Sequence, residues 1–239
     1  TTLRQLGSKV PGLRNAGLFS MQELEHGVPA RGEWAGACAK ARPWLTLTGR
    51  SLIEALGYTI QPMPGPASVL LANDQRRAVA VFVERVEQIE ASGPLWDDSS
   101  PVTYALSKAD KENLDYVVVS AGSTVRVYPV KLGVGTGRRG RTETYVELDA
   151  ALLPEAKAGY LALLASAAAL ADGGTFESVL ETSREYAVAL GERLRDRVYE
   201  EVVPGFADAI VKARRLRNPS AEKLAESYQM ALLVLFRLL

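Results

Sequence analysis

Alternating apolar positions in the first half of the chain predict a β-sheet. Val79, Val81 and Val83 occupy every second position of one segment, which is the pattern of a strand with one buried face. Two further β-rich segments run from Tyr116 to Val119 and from Thr124 to Tyr128. With the shorter apolar stretches included, strands are predicted over residues 58–62, 68–72, 78–86, 115–120, 124–128 and 142–148.

Two helices are predicted in the same half. The first spans 48–57, where Thr48 can cap the helix, an apolar stripe runs along one side, and Gly57 ends it. The second runs from Pro101 to Asn113, with proline tolerated in the first turn, and leads directly into the strand at 115–120. A helix that joins two strands in this way is the crossover expected of a mixed sheet.

The strands at 68–72 and 78–86 are predicted to form a hairpin, because Asn73-Asp74 between them is turn-forming chemistry. The fold class predicted from the pattern is therefore α/β, with a mixed sheet flanked by helices.

The regions on either side of the sheet have a different character. Glycine and proline punctuate residues 1–46, which predicts an N-terminal arm with one or two short helices, anchored to the core by Trp34 and Trp44. Residues 47–150 carry the sheet. After a boundary near 150, residues 151–239 are helical in pattern, with helices up to Ala171, from Phe176 to about 203, over 204–215 and from 221.

The final segment, Ala231 to Leu239, is apolar and has no glycine, asparagine or proline stop signal. A helix this apolar is normally buried on most sides, and the preceding helices do not obviously cover it. We therefore expect the chain to be the start of a larger polypeptide, with 151–239 as a helical connector region.

Composition restricts the chemistry that the chain can perform. Lys plus Arg (28) equals Asp plus Glu (28), so any contact with DNA must come from local basic patches. One cysteine, Cys38, excludes an internal disulfide framework, and one histidine, His26, excludes a His/Cys zinc cluster. Residues 1–14 lack an apolar signal core, and Arg237 interrupts an apolar run that is too short for a bilayer. A cytoplasmic protein without a membrane partner is expected.

Several stretches, in order along the chain, resemble the N-terminal part of bacterial type IIG restriction-methyltransferases. They are Arg14 to Ser20, Leu56-Gly57-Tyr58, Val117 to Tyr128 and Tyr228 to Leu239. Proteins of that family join a PD-(D/E)xK nuclease domain, a helical connector and an adenine-specific DNA methyltransferase. The resemblance implies a restriction-endonuclease-like sheet followed by the connector, in a protein of restriction-modification or phage defence.

The resemblance also shows what the nuclease site lacks. The family places an Asp at the start of one strand and Glu-x-Lys on the next, so that two carboxylates hold Mg²⁺ and a lysine activates water. Here Ala67 stands at the Asp position and Val86 at the lysine position, and of the motif only Glu84 remains. We therefore expect an inactive nuclease with no metal site. Rescue would need other groups, and the candidates are the carboxylates Asp74, Glu87 and Glu54 and the cations Arg85 and Lys108.

The methyltransferase portion is not recognisable in this chain. Gly133-x-Gly135-x-Gly137 is followed by arginines and a strand rather than a helix, and Asn218-Pro219 continues with Ser220 instead of a catalytic Pro-Tyr. The resemblance implies S-adenosylmethionine as the cofactor of the parent protein, with Mg²⁺ required only if the nuclease site is active.

Basic residues in two places are candidates for weak contacts to the backbone of duplex DNA. Arg138, Arg139 and Arg141 lie in the glycine-rich loop, and Arg76 and Arg77 follow the hairpin turn. An exposed loop kept soluble by its charge is an equally good interpretation of the first group.

Three functions stay open. The favoured one is a catalytically inactive nuclease-like module that positions DNA, or docks against the methyltransferase domain of the same polypeptide. The alternatives are an active Mg²⁺-dependent endonuclease with a rearranged site and a protein-interaction scaffold that never meets DNA.

Overall fold

The structure is a computed structural model that describes residues 10–131, 133–136, 140–216 and 218–238. The chain forms two compact units, Thr1–Glu185 and Tyr186–Leu239. The strands are β1 (Leu13–Ala16), β2 (Thr59–Pro62), β3 (Ala67–Ala72), β4 (Gln75–Val83), β5 (Tyr116–Ala121), β6 (Thr124–Pro129) and β7 (Tyr145–Asp149). The α-helices are α1 (Val28–Ala30), α2 (Trp34–Ala41), α3 (Gly49–Ala55), α4 (Pro101–Glu112), α5 (Gly159–Leu164), α6 (Thr175–Arg197), α7 (Val203–Ala213) and α8 (Ala221–Leu238). Two π-helical segments occur at Glu23–Gly27 and Val198–Val202, and single 3-10 turns connect the larger elements.

The first unit is built on one seven-stranded mixed sheet in the order β1-β7-β6-β5-β4-β3-β2. Among the strands of the described residues, β4 and β5 form the one parallel pair, and the other neighbouring strands are antiparallel. A parallel pair needs a crossover, which α4 supplies between these two strands. The predicted α/β class, the mixed sheet and the helical crossover are therefore confirmed.

The centre of the sheet is covered on both faces, because alternate residues of its central strands belong to two separate apolar clusters. On one face, Val118 and its neighbours pack with Leu52 and Ile53 of α3. On the other face, Val119 and its neighbours pack with Ala105 of α4. We call these the α3 face and the α4 face. A central strand that is buried on both faces has a nearly continuous apolar sequence, and β5 is an example.

Most of the predicted elements of the sheet are confirmed to within a few residues. The hairpin turn has Asn73 and Asp74 at φ 50° and 60°, the left-handed conformation that Asn and Asp tolerate best. Trp34 and Trp44 pack on the α3-face core as expected, and the Trp34 ring lies 4.9 Å from that of Tyr160, edge to face.

Two expectations about the flanking regions need correction. The helix predicted up to Ala171 ends at Leu164, because the backbone beyond it bonds to the end of α3: Tyr58 Oη donates to Ala165 O at 3.0 Å, and Ala167 N donates to Leu56 O at 2.9 Å. The segment predicted as an arm of short helices also contains the strand β1, which forms one edge of the sheet. The compact unit that contains the sheet runs to Glu185.

The second unit is helical, as the pattern predicts. In it α7 packs against α8, and Val203, Ser227 and Ala231 are buried. Many large apolar side chains of this unit remain exposed, Phe236 most of all. None of the helices in the described ranges has the length and apolar character needed to cross a bilayer.

Candidate functional site

The residues at the expected nuclease positions lie at one end of the β3–β4 hairpin. Ala67 begins β3 and pairs with Val81, and Glu84 follows the last residue of β4. Val86 packs, partly buried, against the same α4-face cluster that contains Ala67. The fold therefore brings the three positions to one end of the sheet, but only Glu84 has a functional group there.

Glu84 itself is exposed, and it makes no ion pair with any residue in the described ranges. Its backbone N–H donates to Gln88 Oε1 at 3.0 Å, as does the N–H of Arg85 at 2.9 Å. These bonds hold the 3-10 turn Val86–Gln88 that leads away from the strand. A single exposed carboxylate of this kind cannot by itself retain a divalent ion.

Of the other candidate carboxylates, Glu87 follows Glu84 in the turn Val86–Gln88 and is exposed as well, whereas Asp74 and Glu54 lie on other elements. Asp74 sits in the hairpin turn at the opposite end of the nine-residue strand β4, so that roughly 30 Å separate the two residues at the usual rise of an extended chain. Glu54 is exposed on α3, which covers the α3 face of the sheet. Among the described residues, no group of three or more His, Cys, Asp or Glu side chains could hold a metal ion.

Three of the five candidate DNA-binding arginines are engaged with carboxylates. Arg76 pairs with Glu112 at 2.8 Å, and Arg77 pairs with Asp172 at 2.8 Å. Arg141 donates to both carboxylate oxygens of Asp110, at 2.8 and 3.0 Å, and to Val130 O at 3.0 Å. The remaining two, Arg138 and Arg139, lie outside the described residues.

A charged cluster that sequence reasoning missed lies on the α4 face. Arg126 on β6 is 3% exposed and stands directly opposite Glu147 on β7, and their side chains form an ion pair. Its guanidinium also donates to Glu90 Oε1 at 3.0 Å and to Tyr128 Oη at 3.3 Å. The ring centroid of Tyr145 lies 4.6 Å from Arg126 Cζ. We call these five residues the Arg126 cluster.

Within the Arg126 cluster, the arginine stays charged and the two phenols stay neutral. Burial alone would lower the pKa of Arg126, but Tyr128 and Glu147 outweigh it and raise that pKa overall. Burial raises the pKa of Tyr128 and of Tyr145, so both phenols remain neutral at physiological pH. A cation that is already balanced by two carboxylates does not readily bind an anion. The cluster is therefore best interpreted as a structural contact between β6 and β7.

One signal for this cluster is visible in the sequence. Arg126 interrupts the apolar run Val125-Arg126-Val127, and a charge in the middle of a buried strand requires a partner. The identity of that partner follows only from the register of β6 against β7.

Arg14 on β1 continues the same row of the sheet. It stands opposite Glu147, is exposed, and lies 5.8 Å from the ring of Tyr145. The row therefore runs across the sheet from Ala67 through Val81, Val119, Arg126 and Glu147 to Arg14.

Comparison with known proteins gives no relative: no protein-family model, no curated protein and no solved structure matches this chain significantly.

Proposed function

We propose that the first unit is a nuclease-like sheet without a metal site, which positions duplex DNA or docks against an adenine-specific DNA methyltransferase portion of a larger cytoplasmic restriction-modification or phage-defence protein. One observation carries the proposal. Ala67, Glu84 and Val86 lie at the same end of one hairpin. They are brought there by a chain order in which α3 precedes three antiparallel strands, and α4 then crosses over to the parallel strand β5. This is where the resemblance requires the Asp, Glu and Lys of a nuclease.

The chemistry of those positions supports the absence of cleavage. A methyl group and an isopropyl group cannot ligate Mg²⁺ or transfer a proton, and Ala67 is 3% exposed within an apolar cluster. S-adenosylmethionine would then be the cofactor of the methyltransferase portion, and this chain would contribute binding and orientation.

The contribution of DNA contacts is tested by fluorescence anisotropy with a short duplex over a range of salt concentrations. We expect weak binding that falls with salt, because a few phosphate contacts release few counterions. Replacement of Arg138 and Arg139 by Ala should lower the magnitude of the logarithmic salt slope by about 1 for each arginine that contacts a phosphate. Arg42→Ala is the matched control, since Arg42 is an exposed arginine paired only with Glu155. Binding that is absent at low salt contradicts the DNA-positioning role.

The inactive-nuclease part is tested by restoring the missing groups. The variant Ala67→Asp/Val86→Lys recreates the Asp and Glu-x-Lys pattern around Glu84, and we expect it to nick supercoiled plasmid with Mg²⁺ while the natural chain does not. Ala67→Asn/Val86→Lys is the control of equal size without the second carboxylate, and it should stay inactive.

Two results would contradict this part of the proposal. Mg²⁺-dependent nicking by the natural chain, lost in Glu84→Ala, would select the active endonuclease with a rearranged site. A restored variant that folds, as judged by circular dichroism, but neither binds Mg²⁺ nor nicks DNA would show that the three positions are not a nuclease site. If the natural chain does not bind DNA and the restored variant does not nick it, the protein is better described as a protein-interaction scaffold.

A further inference from the structure

A concave pocket of about 240 Å³ lies away from the nuclease positions, at the other end of the β3–β4 hairpin. Four parts of the first unit form it: α2, the end of α3 at Gly57, the hairpin, and the turn that follows α5 at Ser166–Ala168. That turn lies within the segment predicted as a helix up to Ala171, and its Ala167 N–H donates a hydrogen bond to Leu56 O at the end of α3. The pocket is therefore a product of tertiary hydrogen bonds and not of a loose loop.

Two cations from different elements line the pocket. Lys40 from α2 and Arg77 from β4 both line it, and no Asp or Glu is among the described residues that do so. Lys40 is exposed and forms no ion pair with a described residue, although its Nζ lies 5.8 Å from the ring of Trp44. In a chain with equal numbers of acidic and basic residues, Lys40 and Arg77 leave a net positive charge at this concavity even with Asp172 paired to Arg77, and that charge favours an anion.

Arg77 is held in place with unused hydrogen-bonding capacity. One terminal nitrogen donates to Asp172 and the other to Gln75, and each of the two nitrogens keeps a second N–H. Asp172 competes only weakly for the guanidinium, because its side chain is 88% exposed and can turn to solvent.

We propose that this pocket binds a phosphate group. The cations Lys40 and Arg77 supply charge and donors, and the small side chains of Ala72, Ala167 and Ala171 leave room between them. The volume is below that of pockets for drug-sized ligands, so the site accommodates a phosphate with a small substituent. The phosphate comes either from a DNA backbone or from a free phosphate monoester, and the pocket does not depend on the nuclease-like assignment.

Titration of the full chain with inorganic phosphate, followed by NMR of backbone amides, tests the site. We expect saturable shifts that are largest at Gly57 and Ala167–Ala168. Lys40→Ala should weaken binding about tenfold, because it removes one charge-assisted contact. Lys157→Ala is the matched control, since Lys157 also lies over a tryptophan, Trp34 at 5.7 Å, but does not line the pocket.

A second pair of variants avoids disturbing the fold. Ala168 is exposed at the pocket, so Ala168→Glu places a negative charge there, and Ala168→Gln has nearly the same size without the charge. We expect the Glu variant to abolish phosphate binding and the Gln variant to retain it.

The source of the phosphate follows from competition. Displacement by a duplex without terminal phosphates indicates a DNA backbone, and displacement by a mononucleotide but not by the duplex indicates a free monoester. The proposal is overturned if phosphate shifts do not saturate at tens of millimolar, if they map to other residues, or if Lys157→Ala weakens binding as much as Lys40→Ala. A chain that binds phosphate here but no DNA at all would refute the DNA-positioning role and leave this pocket in place.

Discussion

Replacing Arg126 by methionine should strongly destabilise the first unit. The arginine side chain is 4% exposed and that of Glu147 is 16% exposed, so removing the guanidinium leaves a largely buried carboxylate without its partner. Breaking a buried pair in this way costs about 3–5 kcal/mol. Glu90 is 68% exposed and adds little. Because Glu147 retains some solvent contact, we expect a loss of about 3 kcal/mol in the free energy of unfolding.

The same reasoning predicts a recovery. In the double variant Arg126→Met/Glu147→Leu both charges are gone and apolar side chains of similar volume face each other across β6 and β7. Its free energy of unfolding should return to within about 1 kcal/mol of the natural chain, because the desolvation of two ions is no longer required.

Urea unfolding followed by tryptophan fluorescence measures these changes in the first unit alone. All three tryptophans, Trp34, Trp44 and Trp96, belong to that unit. Linear extrapolation to water gives the free energy for each variant. Arg42→Met serves as the control, because the Arg42–Glu155 pair is 61% and 68% exposed and its loss should cost less than about 0.5 kcal/mol.

Two results would refute this account of the Arg126 cluster. A loss below about 1 kcal/mol for Arg126→Met would mean that the carboxylate is not effectively buried. A double variant no more stable than the single variant would mean that the guanidinium acts through its contact with Tyr145, and not by neutralising Glu147.

Two further predictions concern backbone strain and alkaline pH. Gly12→Ala should lower the free energy of unfolding by more than about 1 kcal/mol, because Gly12 has φ 76° and an added Cβ would lie 2.7 Å from Asp149 O. Gly36→Ala within α2 has open space around it and should instead stabilise by roughly 0.5–1 kcal/mol, a contrast that urea unfolding can measure. Burial raises the pKa of Tyr160 from 10.0 to about 12. The phenol therefore ionises in the unfolded chain at a lower pH than in the folded chain. The stabilisation that comes from this pKa difference is complete below pH 10 and is lost as the pH rises to about 12. Between these pH values Tyr160→Phe should lose less stability than the natural chain, and equal slopes of stability against pH would contradict the shift.

Local sequence was sufficient to predict the central sheet because each strand carries its own hydrophobic pattern or turn signal. The buried strand β5 is a continuous apolar run, β4 alternates, and Asn73-Asp74 marks the turn before it. These signals lie within each segment, so no knowledge of distant partners is needed.

Features that depend on distant partners were not predictable. Alanine and leucine after residue 152 favour a helix. The helix α5 nevertheless ends early, because Ala165 O accepts a hydrogen bond from Tyr58 Oη and Ala167 N donates one to Leu56 O. The charge on Arg126 could be noticed in the sequence, but its pairing with Glu147 depends on strand register. The pocket at Lys40 and Arg77 depends on both effects, since the early end of α5 forms one of its walls.

The position of β1 has a consequence for how the protein is made. Leu13 pairs with Leu148, so β1 leaves the ribosome well before β7, the strand that holds its hydrogen-bonding partner. Closing so long a loop is entropically unfavourable, and contacts of this separation form slowly. During synthesis β2 to β6 can associate first, and addition of the N-terminal strand to the finished edge is then the final step in assembling the sheet.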